Sequence, residues 1–157
     1  MERYKRRGKK LLYLDETGFE ATTERQYGLA AIGKRVHDTR VGSIRKRTSL
    51  IAAWCNKYIS APMLFEGTCN TNVFNTWIEK FLCPELDKET VVIMDNATFH
   101  KSAETKTLIE DTGATLLFLP PYSPDLNPIE KVFGTLKRIR SESPNIHLDQ
   151  LVTLKCK

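Results

Sequence analysis

The sequence predicts an α/β domain in which helices pack on a mixed β-sheet. Apolar runs of strand length recur at 11–15, 48–54, 58–66, 90–94 and 114–119. From residue 72 onward these runs alternate with segments of helical periodicity, the order that builds parallel strand–helix–strand units. Asn56-Lys57 separates two adjacent apolar runs, the spacing of an antiparallel hairpin. Parallel and antiparallel pairing together make the sheet mixed.

Each element has its own local reason. Residues 11–15, LLYLD, form an apolar run that ends in an acid and is bounded by Thr17-Gly18, so they read as a buried strand. Residues 27–36 read as a short strand weakened by two glycines. The runs 48–54 and 58–66 form the hairpin, and Pro62 assigns the second to an edge or a bulge. In 72–86 the apolar positions Val73, Phe74, Trp77, Ile78, Phe81 and Leu82 follow one helix face. Asn70 or Thr71 caps that helix and Pro84 ends it. Residues 90–94, TVVIM, have the continuous β-branched character of a central strand. Residues 102–112 read as a helix with Ser102 as cap and Gly113 at its end, and 114–119 as the next buried strand. Pro120, Pro121 and Pro124 then impose a rigid loop, and a helix begins at Asn127. Trp54 and Trp77 fit the core better than a base-stacking surface.

Composition excludes several classes. The chain has 157 residues, 41% of them hydrophobic and 27% charged, which suits one folded domain. No apolar run approaches the roughly 20 residues of a membrane span, and no signal-peptide core follows the basic start. Cys55, Cys69, Cys83 and Cys156 form no CxxC pair, so a reducing cytoplasm is the expected location. The net charge of +5 is concentrated in three basic clusters, at 1–10, 34–47 and 131–157, around a net-acidic middle. Such clusters can converge on a polyanion, or each can simply be a solvated face. Within 34–47, Lys34, Arg35, Arg45, Lys46 and Arg47 are candidate phosphate contacts, as is Lys137 in the third cluster, whereas His37 reads as surface.

Three acids hold special positions. Asp15 follows LLYL, Asp95 follows VVIM, and Glu130 lies in the first turn of the helix after the proline loop. An acid at the tip of a buried strand is costly unless a cation or donors compensate it. With strands 11–15 and 90–94 parallel neighbours, Asp15 and Asp95 have adjacent ends, and the following helix brings Glu130 over the same edge. Three converging carboxylates make an oxygen site for Mg²⁺ or Mn²⁺. Each acid also has a bland reading. Asp15 and Asp95 can be turn formers, and Glu130 fits a capping box with Asn127 at the cap and Pro128 at the first helical position.

The segments YLDETGF (13–19), VVIMDNATFH (91–100) and LPPYSPDLNPIEKVFGTLK (119–137) resemble the three catalytic motifs of DDE transposases. The mariner-type superfamily, and within it the bacterial insertion-sequence branch, is the best match. The 34 residues between Asp95 and Glu130 agree with its D-34-E spacing. The resemblance implies a ribonuclease-H-like fold over 11–141, preceded by a basic tail (1–10) and followed by a short segment (142–157) that reads as a cut-short helix. It implies that Asp15, Asp95 and Glu130 are both the catalytic and the metal-binding residues, holding two divalent ions, Mg²⁺ or Mn²⁺. The implied reaction is hydrolytic cleavage of double-stranded DNA at transposon ends, followed by strand transfer into target DNA.

Asn96 and His100 match the family's DNA-x-x-H pattern. His100 is placed either to contact phosphate or the reacting strand, or to cap the helix beginning near Ser102. Tyr122, Ser123, Pro124 and Asn127 match the proline loop that presents Glu130. Glu16 lies on the opposite strand face from Asp15 and is not expected to be a ligand. The resemblance further implies a homo-oligomer in the active complex, a nucleoid-associated location in a bacterial cytoplasm, and no membrane partner. Family members carry helix-turn-helix domains before this one. A second reading frame, joined to an upstream-frame helix-turn-helix polypeptide, and a truncated copy are both compatible with the sequence. The alternatives to an active enzyme are an idle remnant that binds DNA or full-length transposase, and a host nuclease or resolvase of the same fold.

Overall fold

A computed structural model of the chain describes residues 1–20, 47–121, 123–143, 145–154 and 156. The expected strand at 27–36 and His37 lie outside the described residues.

Among the described residues, five strands form one sheet in the order β3-β2-β1-β4-β5. They are β1 (Lys10–Glu20), β2 (Arg47–Cys55), β3 (Tyr58–Glu66), β4 (Thr90–Met94) and β5 (Thr115–Phe118). β1 is the spine and pairs in two ways. Its first half runs parallel to β4, from Lys10 opposite Thr90 to Tyr13 opposite Ile93. From Tyr13 to Glu20 it runs antiparallel to β2. β5 extends the parallel side and β3 the antiparallel side.

This corrects the first strand. Thr17-Gly18 does not end it, because continued pairing with β2 carries the extended backbone to Glu20 and buries Thr17 and Phe19. Asp15 therefore lies within β1, two residues past the last parallel pair, rather than at a strand tip.

The side chains of β1 alternate between two layers. Leu12 and Leu14 join Val92, Met94, Phe74, Trp77, Ile78, Leu82 and Ile109 on one face. That face is covered by α2 (Thr71–Trp77) and α3 (Ala103–Glu110). On the other face, Phe19 joins Leu50, Ala52, Ile129, Phe133, Leu136, Leu151 and Val152 beneath α4 (Ile129–Glu142) and α5 (Leu148–Thr153). Within the basic tail, residues 2–6 form the helix α1 (Glu2–Arg6), and Tyr4 packs beside Tyr13, Val91 and Ile93. Among the described residues no helix is long and apolar enough to cross a membrane.

The hairpin turn at Asn56-Lys57 has both central residues at positive φ, 48° and 77°, the backbone that matches strand twist. Among the described strands β3 lies at an edge of the sheet, one of the two places expected for Pro62. It carries a bulge there: Ile51 faces Met63 while Ala53 faces Ser60, so Ala61 and Pro62 share one partner. Ala61 adopts φ 49°, and its carbonyl accepts a 2.7 Å bond from the buried Trp77 indole.

The helix expected over 72–86 is in fact three consecutive pieces. α2 runs on into a π turn at Ile78–Leu82 and a 3-10 turn at Cys83–Glu85. Asn70 caps α2 by accepting from the Val73 amide at 3.0 Å. Ser102 caps α3 by accepting from the Thr105 amide at 3.0 Å. Buried Asn75 ties these helices together, donating to Glu104 at 2.6 Å and accepting from the Thr105 hydroxyl at 2.6 Å.

Candidate active site

The parallel pair β1–β4 places Asp15 and Asp95 side by side. Alternation along β1 sets Asp15 on the same face as Tyr13 and Phe19, toward α4. Asp95 continues the register of β4 immediately after Met94. The chain then leaves β5, crosses the proline segment and a 3-10 turn at Pro124–Leu126, and enters α4 with Glu130 in its first turn. Asp15, Asp95 and Glu130 line one cleft of about 400 Å³, together with Asn96, Ser123 and Asn127. Ala97, Leu119, Pro120 and Pro121 complete its wall. Glu130 is exposed and Asp15 is half-buried.

Each strand-borne acid is held by specific donors. Asp15 Oδ1 accepts the Glu16 amide at 2.8 Å, and Oδ2 accepts the Asn127 side-chain amide at 3.0 Å. Asp95 Oδ1 accepts the Ala97 amide at 3.0 Å and His100 Nδ1–H at 2.6 Å. The other ring nitrogen of His100 donates to Glu16 Oε2 at 3.2 Å.

These contacts correct two expectations. Asn127 does not cap α4. The helix starts at Ile129 after Pro128, with no side-chain cap, because the Asn127 amide is turned to Asp15 and, at 3.5 Å, to the Leu14 carbonyl. His100 does not cap α3. It is 1% exposed, Ser102 does the capping, and both ring nitrogens are taken by carboxylates. Glu16 does face away from Asp15, as strand alternation requires, and from that face it meets His100.

The electrostatics separate the two aspartates. Burial pushes the Asp15 carboxyl up to about 8; the Glu16 amide opposes this, while the nearby Glu130, Glu16 and Asp95 carboxylates add to it. The hydrogen bond from His100 holds Asp95 below the usual carboxylate range. Burial works against charge on His100, yet its bonds to Asp95 and Glu16 raise it to about 9. His100, lying between Asp95 and Glu16, is therefore held protonated at neutral pH.

The donor set fits a hard divalent cation. It is all oxygen, it is open to solvent, and its buried acid is disfavoured as a bare anion. Among the described residues no three His, Cys, Asp or Glu side chains close on a single point.

The remaining candidates are dispersed. Ser123 donates to the Pro121 carbonyl at 3.3 Å and stiffens the loop. Lys137 is exposed on α4, two turns beyond Glu130. Arg47 opens β2, with its side chain lying over Gly18, where a Cβ would collide with the guanidinium. Tyr122, Lys34, Arg35, Arg45 and Lys46 lie outside the described residues. Sequence reasoning missed the Asn127–Asp15 contact and the engagement of Glu16 by His100. The only local signal for the latter was a His five residues after an acid and on the same face as Glu16.

The sequence profile described as DDE superfamily endonuclease matches residues 10–152. The chain belongs to this family. The DDE endonuclease domain is 36% identical over 83 residues to the "Transposable element Tc3 transposase" of Caenorhabditis elegans, a match covering 53% of this chain and 25% of that protein. In fold it is similar to the chain in a pre-cleavage Mos1 transpososome (TM-score 0.69, 19% identity, 90% of this chain and 46% of that one). It is likewise similar to the Mos1 mariner paired end complex with Mn (TM-score 0.69, 22% identity, 88% and 45% covered). The Mos1 catalytic domain, solved with raltegravir and Mg, matches at TM-score 0.65 and 18% identity, with 98% of this chain and 73% of that one covered. The DDE domain has the ribonuclease-H-like fold of that catalytic domain. It spans a quarter of the length of the Tc3 relative and just under half of the Mos1 chains in these DNA complexes.

Proposed function

We propose that this DDE domain is the catalytic part of a mariner-type transposase, one that cleaves DNA at transposon ends and joins the freed 3′ end to target DNA. One observation carries the reading: three acids from β1, the end of β4 and the start of α4 line a single open cleft at the carboxyl ends of parallel strands. Asp15, Asp95 and Glu130 would hold Mg²⁺ or Mn²⁺, two ions in the full reading. When bound, such ions supply an activated hydroxyl and counter-charge for the leaving oxygen of a phosphodiester.

The chain's own residues do the positioning. Asn127 fixes the outer oxygen of Asp15, His100 fixes Asp95, and the proline loop with Ser123 carries Glu130 to the cleft. The chemistry is carried by positioning and electrostatics, with no side-chain nucleophile. Tyr122, Lys34, Arg35, Arg45, Lys46, Arg47 and Lys137 complete the reading as loop and phosphate-contact residues. The YSPDLNPIE string supports the bacterial insertion-sequence branch, and with it a cytoplasmic, nucleoid-associated enzyme that works as a homo-oligomer. An upstream-frame helix-turn-helix polypeptide would supply end recognition. The three acids all stand at the cleft, which weighs against the idle-remnant alternative.

The test is an in vitro reaction with Mn²⁺ or Mg²⁺ and DNA carrying the element's terminal repeats, using the chain alone and joined to the upstream-frame polypeptide. Metal-dependent nicking and strand joining, lost in Asp95→Asn and Glu130→Gln, is the expected result. Equal cleavage by those variants overturns the assignment of the acids.

A further inference from the structure

Resting on that reading of the acids, we propose that Glu16 and His100 form a positioning couple that locks Asp95 with one oxygen turned inward and the other left for the cleft. Glu16 is then a fourth acid of the site that touches no ligand. His100 bridges two carboxylates, donating from Nδ1 to Asp95 at 2.6 Å and from Nε2 to Glu16 at 3.2 Å. The ring cannot swing. It is 1% exposed, with its centroid 4.3 Å from those of both Phe74 and Phe99.

The consequence falls on Asp95. Its Oδ1 takes two donors, the Ala97 amide and His100, while Oδ2 has no partner among the described residues. The carboxylate is thus fixed in rotation, with one oxygen spent on the protein. Glu16 works one step back. It comes from β1, on the face away from Asp15, so the couple ties the end of β4 to the middle of β1. A partner that orients a metal-binding group in this way is worth about 10–100-fold in metal affinity.

The experiment measures Mn²⁺ binding to the purified full chain by calorimetric titration, with the melting temperature in EDTA as a check on folding. The variants are Asp95→Asn, His100→Asn, Glu16→Ala and Glu16→Gln. Asp95→Asn is expected to abolish most binding. His100→Asn is expected to weaken binding by about 10–100-fold. Its sign is decisive: deleting a cation beside a cation site tightens binding if charge alone matters, and weakens it if the ring positions Asp95. Glu16→Ala and Glu16→Gln lose the same charge, but Gln keeps an oxygen that accepts from Nε2–H. Glu16→Ala should therefore bind weakly and Glu16→Gln should recover part of the loss. Glu16 is partly exposed, so this pair carries the test if His100→Asn fails to fold.

Two results overturn the couple while leaving the metal site standing. One is unchanged or tighter binding by a folded His100→Asn, and the other is equal binding by the two Glu16 variants. Unchanged binding by Asp95→Asn overturns the metal-site reading itself, and the couple with it.

Discussion

Among the described carboxylates, Asp15 is the one that its surroundings push toward the neutral form. Burial and then its acidic neighbours raise it to about 8, so folding favours its neutral form. The stability it contributes is complete below its unfolded value near 4 and is lost as pH rises toward 8. His100, raised to about 9, contributes stability that is complete below about 6.5 and is lost as pH rises through 9. The melting temperature of the metal-free chain, followed in EDTA, should therefore fall across neutral and mildly alkaline pH. Asp15→Asn should flatten the part below about 8. By the same linkage Mn²⁺ binding displaces a proton from Asp15, so titrations should show affinity climbing up to about pH 8 and then levelling. Asn127→Ala removes the side-chain donor to Asp15. It should cut metal-dependent cleavage about 10–100-fold and lower the melting temperature by a few degrees, measured on the same preparation. This contact could not be read from sequence. Asn127 before a proline is a good cap by local rules, and its actual partner lies 112 residues away. The meeting of the three acids at one cleft was legible because each is placed by its own strand or helix. Their holders were not, because no local pattern reports a contact across the sheet.

Between elements, the join of β3 to α2 carries more than its size implies. The bulge at Ala61 turns a carbonyl inward, and the Trp77 indole satisfies it. Trp77→Phe keeps the ring's apolar bulk but orphans that carbonyl, at a cost of about 1–3 kcal/mol. Urea unfolding should show a lower midpoint with an unchanged slope. In the hairpin turn, Lys57 holds φ 77° without being glycine. Lys57→Gly should relieve roughly 1 kcal/mol of backbone strain and raise the midpoint in the same assay. Pro62 and the positions of the described strands were legible because edge and period rules are local. The π turn was not. The apolar face over 72–86 looked like one regular helix, but the wider turn swings Phe81 out to 44% exposure while Leu82 stays buried. Tertiary packing made that choice, as it did when β2 pairing overrode the Thr17-Gly18 punctuation in β1.

At the scale of the molecule, the mixed sheet, its hairpin and its parallel side followed from the order of the apolar runs. The layer that each helix would cover did not, because the chain can return to either face of a strand. The charge distribution gives a prediction at this scale. Affinity for generic duplex DNA should fall linearly in log–log plots against salt. Replacing exposed Lys131 or Lys137 on α4 should reduce the slope by about one each where that side chain meets a phosphate, without changing sequence preference. The origin of the three acids has one more consequence. Asp15 and Asp95 belong to the sheet, but Glu130 arrives on α4, which must first seat Ile129, Phe133 and Leu136 against β1 and β2. Ribosomes build from the N-terminus, so a half-made chain can own a strand pair and two acids yet lack the third. The three-acid cleft is thus the last part of the domain to be finished, whole only once the final long helix docks.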